Sequence, residues 1–284
     1  MQTPEQISYY AEQPLPEPPR AEVPYVPTPD DPPWGGGMAI GVWLLSFLAI
    51  AIFPVFLLIP YYLATGQKMP ENPATDPTVI LLSLIAIVPA HAFTVLVAWP
   101  VVTKFRQYPF LSMLGWKWGG FSWWHAPVII VAFYFVVFGV SHLFPESDNA
   151  MLQAIRSSPA AAYSIAILAT LSAPFVEELV YRGLLYSAFQ RSIGTAGAVA
   201  VVTIMFAGVH YVQYWGSWGT IIMITLLSLV LTLTRARTGN LLPAVVLHFL
   251  FNGLQSIGII AATAADALKP SDTAEALIRV FFNK

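Results

Sequence analysis

Residues 173–185 read APFVEELVYRGLL and place three ionisable side chains, Glu177, Glu178 and Arg182, within an otherwise apolar sequence. Apolar runs flank this stretch on both sides, so we expect the three charges to lie at membrane depth. An ionisable side chain near the centre of a bilayer costs about 2.5–3.5 kcal/mol on insertion scales, and it therefore usually faces a partner or a water-filled cavity. Three such residues this close together predict a functional site inside a membrane protein.

The composition of the 284-residue chain places it in the membrane class of proteins. Hydrophobic residues make up 57% of the chain and charged residues 10%, whereas soluble domains average about 45–50% and about 25%. The net charge of −2 argues against a nucleic-acid-binding surface, so we expect no nucleic-acid partner. The chain has no cysteine, which excludes disulfides, thiolate nucleophiles and cysteine-ligated metals. Any nucleophile is then water, a hydroxyl or a carboxylate.

Seven apolar segments are long enough to cross a bilayer, which requires about 20 residues in a helix. They predict an all-α fold, a polytopic helix bundle of about seven to eight transmembrane helices in contact with the lipid bilayer. The predicted spans are 38–63, 78–103, 126–144, 160–191, 195–212, 218–234 and 241–262.

The two ends of the chain differ from the spans in composition. Residues 1–37 contain ten prolines among polar residues, and because proline removes backbone donors and blocks helices, we expect a disordered Pro-rich tail. Region 38–150 supplies the N-terminal transmembrane helices, and 151–262 forms the core that carries the charged site. Residues 263–284 are predicted to form a C-terminal tail that suits an interfacial helix.

Lysine and arginine residues predict the orientation of the bundle. They concentrate in the loops that follow spans two, four and six, whereas the loops after spans one, three and five carry few. Cytoplasmic loops carry the excess of positive charge in membrane proteins. We therefore expect the N-terminus in the cytoplasm and the C-terminus outside.

Polar residues recur in three short motifs on different spans. The motifs are Glu177-Glu178-x-x-x-Arg182, Phe206-x-x-x-His210 and His248-x-x-x-Asn252. Residues four apart share one face of a helix. With a rise of about 1.5 Å per residue, Glu177, His210 and Asn252 lie about 21, 22 and 18 Å from the same side of the membrane, and His248 one turn shallower. Residues from three spans are therefore predicted to meet at a similar depth.

Such a cluster could carry out hydrolysis. A carboxylate in an apolar pocket is a stronger base than one in water, which suits a general base near neutral pH. Arg182 favours the ionised form of Glu178, so one carboxylate of the pair is expected to be structural and the other catalytic. A histidine can orient the water and carry its proton, and an imidazole beside an amide can donate hydrogen bonds to a developing oxyanion.

Together the three motifs resemble those of the CPBP family, which comprises CAAX prenyl proteases and bacteriocin-processing (Abi-type) enzymes. That family carries Glu-Glu-x-x-x-Arg, Phe-x-x-x-His and His-x-x-x-Asn/Asp on successive membrane helices, and residues 177–252 show all three in this order. The resemblance implies an intramembrane endopeptidase that cleaves a membrane-associated protein or peptide. It also implies roles for six residues: Glu177 as the base with His210 as its partner, His248 and Asn252 as the oxyanion site, and Glu178 and Arg182 as supporting residues.

The residues leave the metal dependence open. Glu177, His210 and His248 would also make a two-histidine, one-carboxylate zinc set with an open water position. Their spacing is not the His-Glu-x-x-His helix that is typical of zinc peptidases. We favour a metal-free site without a cofactor.

Two other functions fit the same residues. The chain could be a non-catalytic membrane scaffold or immunity protein of the same fold. It could also be a proton-coupled transporter, in which Glu177 and His210 form a proton relay. From the resemblance we expect an integral protein of a bacterial cell membrane.

Overall fold

The structure, a computed structural model, describes residues 25–145 and 147–267. Within these residues the chain is helical and forms no strand, which confirms the predicted all-α class. The helices are α1 Gly36–Thr65, α2 Pro77–Thr103, α3 Phe110–Leu114, α4 His125–Leu143, α5 Ala150–Ser157, α6 Pro159–Gln213, α7 Trp218–Thr238 and α8 Leu242–Ala267.

Six of these helices, α1, α2, α4, α6, α7 and α8, are long and apolar enough to cross a membrane. The protein is therefore an integral membrane protein. Helix α6 has 55 residues, which corresponds to about 82 Å of continuous helix and far exceeds the roughly 30 Å hydrocarbon core. It crosses as two arms, because the chain reverses direction within it.

Gly194 is the residue at which α6 reverses. Its backbone has φ 75° and ψ 167°, a combination that is open essentially only to glycine. The rings of Tyr181 and Phe206, at nearly equal distances before and after Gly194, lie 5.0 Å apart. Residues 159–193 and 195–213 are therefore antiparallel arms, and with the other five helices they agree with the seven predicted spans.

Helix α8 runs antiparallel to the first arm of α6. Three hydrogen bonds join them in reverse order along the chain: Ser256 to the Ala166 carbonyl at 3.0 Å, Asn252 to the Ala169 carbonyl at 2.8 Å, and His248 to Glu178 at 2.8 Å. Buried alanines such as Ala166 and Ala244 line these two helices. Small side chains let helix backbones approach closely inside a membrane.

Residues 25–35, which we call the N-terminal strap, lie across one end of the bundle. Trp34 is 1% exposed, and its indole Nε1 donates to the Leu184 carbonyl at 3.2 Å. Asp30 forms an ion pair at 2.7 Å with the buried side chain of Arg235. This part of the chain differs from the disordered tail that we predicted for 1–37, since one tryptophan and one aspartate supply contacts that proline content does not reveal. Residues 1–24 lie outside the described part of the chain.

The C-terminal helix is longer than predicted. Helix α8 continues to Ala267, five residues past the expected end of the span at 262. The rest of the predicted C-terminal tail, residues 268–284, lies outside the described residues.

Candidate active site

The first arm of α6 is irregular where it carries the charged motif. Residues Ala173–Glu178 are α-helical, and π-helical stretches at Leu168–Ser172 and Leu179–Leu185 flank them. Each π-helical turn holds one extra residue, and such turns occur frequently at functional sites. Pro174 is the second residue of the short α-helical stretch and cannot donate a backbone hydrogen bond. The two glutamates thus lie between two local distortions of one helix.

Glu178 and Arg182 form a fully buried ion pair. Nη1 of Arg182 lies 2.8 Å from Oε1 of Glu178, and both side chains are 0% exposed. The rest of the guanidinium is bound to α7: Nη2 donates to the carbonyl and hydroxyl of Ser228, and Nε donates to the Thr232 hydroxyl at 3.1 Å. The guanidinium also lies over the Phe206 ring at 4.7 Å. Arg182 therefore joins the first arm of α6 to α7 and to the second arm.

His248 lies between the two adjacent carboxylates. Its Nδ1 is 2.8 Å from Oε1 of Glu178, and its Nε2 is 3.8 Å from Oε2 of Glu177. An ionised carboxylate can only accept, so the hydrogen bond to Glu178 places a proton on Nδ1. The Nε2 atom of the same ring is then directed towards Glu177. One imidazole thus links the buried carboxylate to its neighbour.

Glu177 and Glu178 have opposite surroundings although they are adjacent in sequence. The side chain of Glu177 is 26% exposed and that of Glu178 is 0% exposed. Successive residues of a helix point about 100° apart, which turns Glu178 towards Arg182 and leaves Glu177 accessible. Of the two carboxylates, Glu177 is the one that water or a substrate can reach.

His210, in the second arm of α6, contacts Phe206, the first residue of its own sequence motif. Its Nδ1 donates to the carbonyl of Phe206 at 2.8 Å, and the two rings stack with centroids 4.6 Å apart. The Phe206 ring also meets His248 edge to face at 6.1 Å. Both histidines therefore flank one aromatic ring with Nδ1 engaged and Nε2 left for other partners. In the described part of the chain, His210 makes no ion pair or hydrogen bond with Glu177.

Asn252 lies away from the carboxylates. Its Nδ2 donates to the Ala169 carbonyl at 2.8 Å, within the first π-helical stretch. It is His248, and not Asn252, that reaches the level of Glu177 and Glu178. Counting residues along regular helices predicts a depth nearer to Glu177 for Asn252 than for His248, and the contact between His248 and Glu178 reverses that order.

Several residues that contact the site did not stand out in the sequence. Ser228 and Thr232 bind Arg182, and their i,i+4 spacing in an apolar run was an available signal. His91 of α2 lies 3.1 Å from the hydroxyl of Ser172, at the end of the first π-helical stretch. No spacing in the sequence relates α2 to this turn of α6.

The alternative zinc set consists of Glu177, His210 and His248. Within residues 25–145 and 147–267, no group of three His, Asp or Glu side chains is arranged to hold a metal ion. Glu177 and His248 are neighbours, with Nε2 of His248 3.8 Å from Oε2 of Glu177 and Nδ1 engaged by Glu178.

One protein-family model matches the part of the chain that contains the helices of this site. Residues 158–254 match the family model described as type II CAAX prenyl endopeptidase Rce1-like. This match confirms the family resemblance. The Rce1-like segment covers about a third of the chain, begins at the start of α6, and contains all three motifs. The strap and helices α1 to α5 precede the Rce1-like segment. Comparison with curated proteins and with solved structures gave no match.

Proposed function

We propose that the chain is an intramembrane endopeptidase in which Glu177 activates the water that attacks a peptide bond. The observation that carries this proposal is the contrast between the two adjacent carboxylates. Glu178 is buried and bound by Arg182 and His248, whereas Glu177 is partly exposed and lies 3.8 Å from Nε2 of His248. The matched family model is described as an endopeptidase, which supports the same reaction.

The charges in the site balance when His248 is an imidazolium. Arg182 and Glu178 then neutralise one another, and His248 and Glu177 do the same. A neutral cluster suits membrane depth, because an uncompensated buried charge is strongly unfavourable. In this state Nε2 of His248 carries a proton that Glu177 is too far away to accept at 3.8 Å. That proton is available to a substrate atom placed between the two groups.

The proposed reaction uses these groups in order. Glu177 takes a proton from water, and the hydroxide attacks the carbonyl carbon of the scissile peptide bond. His248 donates from Nε2 to the developing oxyanion, which stabilises the negative charge where it forms. The C–N bond of the tetrahedral intermediate then breaks, and the leaving amine receives the proton that Glu177 holds, which regenerates the carboxylate. We retain for His210 the predicted role of orienting the attacking water through its Nε2.

We propose a membrane-associated peptide or protein as the substrate. The family description names CAAX prenyl endopeptidases, and a site among membrane-spanning helices requires a substrate that is itself held at the membrane. We also propose a bacterial cell membrane with the N-terminus in the cytoplasm. The basic residues Lys104, Arg191 and Arg235 lie at the strap end of the bundle, which is the side that the positive-inside rule assigns to the cytoplasm.

The test is a comparison of peptide termini in membranes that contain the wild type or Glu177→Gln at matched expression. Glutamine keeps the size of the side chain but cannot act as the base. New termini that occur only with the wild type would support proteolysis and would identify a substrate. Arg191→Gln, at an exposed site on the strap end, is the matched control and should give the wild-type termini. Identical termini with wild type and Glu177→Gln, under conditions where the protein has a phenotype, would favour the scaffold or transporter functions.

A further inference from the structure

The first π-helical stretch of α6 leaves one backbone carbonyl without a donor from its own helix. In a regular α-helix the Ala169 carbonyl would accept from the N–H of residue 173. The N–H of Ala173 donates instead to Leu168, one residue further back, as a π-helical turn requires. The corresponding π-helical donor for Ala169 would be residue 174, which is proline and has no N–H. The sequence and the turn together leave this carbonyl unpaired.

The side chain of Asn252 supplies the missing donor. Its Nδ2 lies 2.8 Å from the Ala169 oxygen. A buried carbonyl without a hydrogen-bond donor destabilises the folded protein, and at membrane depth water is not freely available to act as the donor. Ser256, one turn further along the same face of α8, donates to Ala166 at 3.0 Å. The Ala166 carbonyl precedes the π-helical stretch, so its hydrogen bond from Ser256 does not replace one that proline has removed.

A second side chain holds the same turn from another helix. His91 of α2 lies 3.1 Å from the hydroxyl of Ser172, and that hydroxyl is 3.3 Å from the carbonyl of Leu168. The π-helical stretch is thus held by α8 through Asn252 and through Ser256, whose hydroxyl accepts from Thr170 at 2.9 Å, and by α2 through His91. It lies immediately before the α-helical stretch that carries Glu177.

We propose that Asn252 is a positioning residue that fixes the π-helical turn before Pro174 and thereby sets the direction of Glu177. The extra residue in this turn rotates everything after it by about 100° relative to a regular helix. Without that rotation the two glutamates would not face His248 and Arg182 as they do. This inference rests on the proposed function for the catalytic part of its test. It differs from the oxyanion role that the family resemblance implies for Asn252.

The experiment is a double-mutant cycle between Asn252→Ala and Pro174→Ala in the full-length protein in detergent. Pro174→Ala restores an N–H at the position where Ala169 lacks a donor. We expect Asn252→Ala to lower Tm by about 3–10 °C and to lower kcat by about tenfold to a hundredfold with KM little changed. Adding Pro174→Ala should recover at least half of both losses. Ser256→Ala is the matched control, and Pro174→Ala should give no recovery in that background.

Two results would overturn the proposal. One is the absence of coupling in Tm, which would mean that Asn252 does not satisfy the turn. The other is recovery of Tm without recovery of kcat, which would mean that the amide acts on the substrate itself. If the wild type shows no cleavage at all, the proposed function fails, but the Tm cycle still reports whether Asn252 holds the turn. The two failures are therefore distinguishable.

Discussion

Nδ1 of His248 lies 2.8 Å from Oε1 of Glu178, the same oxygen that accepts from Arg182. This hydrogen bond determines which nitrogen of the ring remains for chemistry, because it engages Nδ1 and directs Nε2 towards Glu177. A carboxylate that accepts from Nδ1 in this way fixes the orientation of the ring and leaves Nε2 on the side of Glu177. In the proposed reaction the buried member of the carboxylate pair orients His248, and the exposed member acts on water.

The first prediction separates the two carboxylates by stability and activity. Glu178→Gln leaves Arg182 as an uncompensated buried cation, and we expect a loss of about 3–5 kcal/mol in the free energy of unfolding. Glu177→Gln leaves the buried ion pair intact, so its Tm should stay within a few degrees of the wild type while peptide cleavage falls below detection. Thermal unfolding and a cleavage assay on the same detergent-purified samples measure both effects. Equal losses of Tm in the two variants would contradict this division.

The second prediction concerns metal dependence. We expect cleavage to persist after treatment with a strong zinc chelator and dialysis, because the proposed base is a carboxylate acting on free water. Adding zinc back should not raise kcat. Loss of activity on chelation that zinc restores would instead support the set formed by Glu177, His210 and His248. Substitution of His142, an exposed histidine at the end of α4, is the control for non-specific zinc binding.

Much of the helical architecture follows from the sequence, because a bilayer requires about 20 apolar residues for each crossing. For α2, the predicted start at 78 and the observed start at Pro77 differ by one residue, and the predicted and observed ends at Thr103 coincide. The similar depths of Glu177 and His210 also follow, since both lie nearly the same number of residues from the reversal at Gly194.

The partners within the site do not follow from the sequence. Which carboxylate meets His248 depends on how α6 is rotated about its axis, and two π-helical stretches alter that rotation. Helical spacing assumes a regular period, so it cannot report such turns. The contact between Asp30 and Arg235 is equally hidden, because it joins residues that are far apart in the chain and depends on how the strap crosses the bundle.

The third prediction tests the reversal in α6. Gly194→Ala places a side chain on a backbone with φ 75° and ψ 167°, which we expect to cost about 1–3 kcal/mol in the free energy of unfolding. Gly208, in the second arm, is the matched control, because an added Cβ would meet open space at either position. Gly208→Ala should be neutral or stabilise by up to about 1 kcal/mol, since alanine favours a helix. Thermal unfolding of the two variants compares them directly, and similar shifts would mean that the backbone at Gly194 is not strained for alanine.

The fourth prediction compares two adjacent aspartates of the strap. The side chains of Asp30 and Asp31 are about equally exposed, at 54% and 51%, but Asp30 pairs with Arg235, which is 1% exposed, and Asp31 pairs with Arg191, which is 45% exposed. Removal of a charge from a buried partner leaves that partner uncompensated, whereas exposed pairs contribute about 0–1 kcal/mol. Asp30→Asn should therefore lower Tm clearly, by more than Asp31→Asn does.

The same pair of variants also tests whether the strap supports the site. Trp34 of the strap donates to the carbonyl of Leu184 in the second π-helical stretch, the stretch that carries Arg182. If the strap supports the site, the Asp30→Asn variant should cleave more slowly than the wild type at temperatures close to its reduced Tm. Well below that temperature its cleavage rate should be near that of the wild type. Equal effects of Asp30→Asn and Asp31→Asn on Tm would show that burial of Arg235 does not distinguish the two ion pairs.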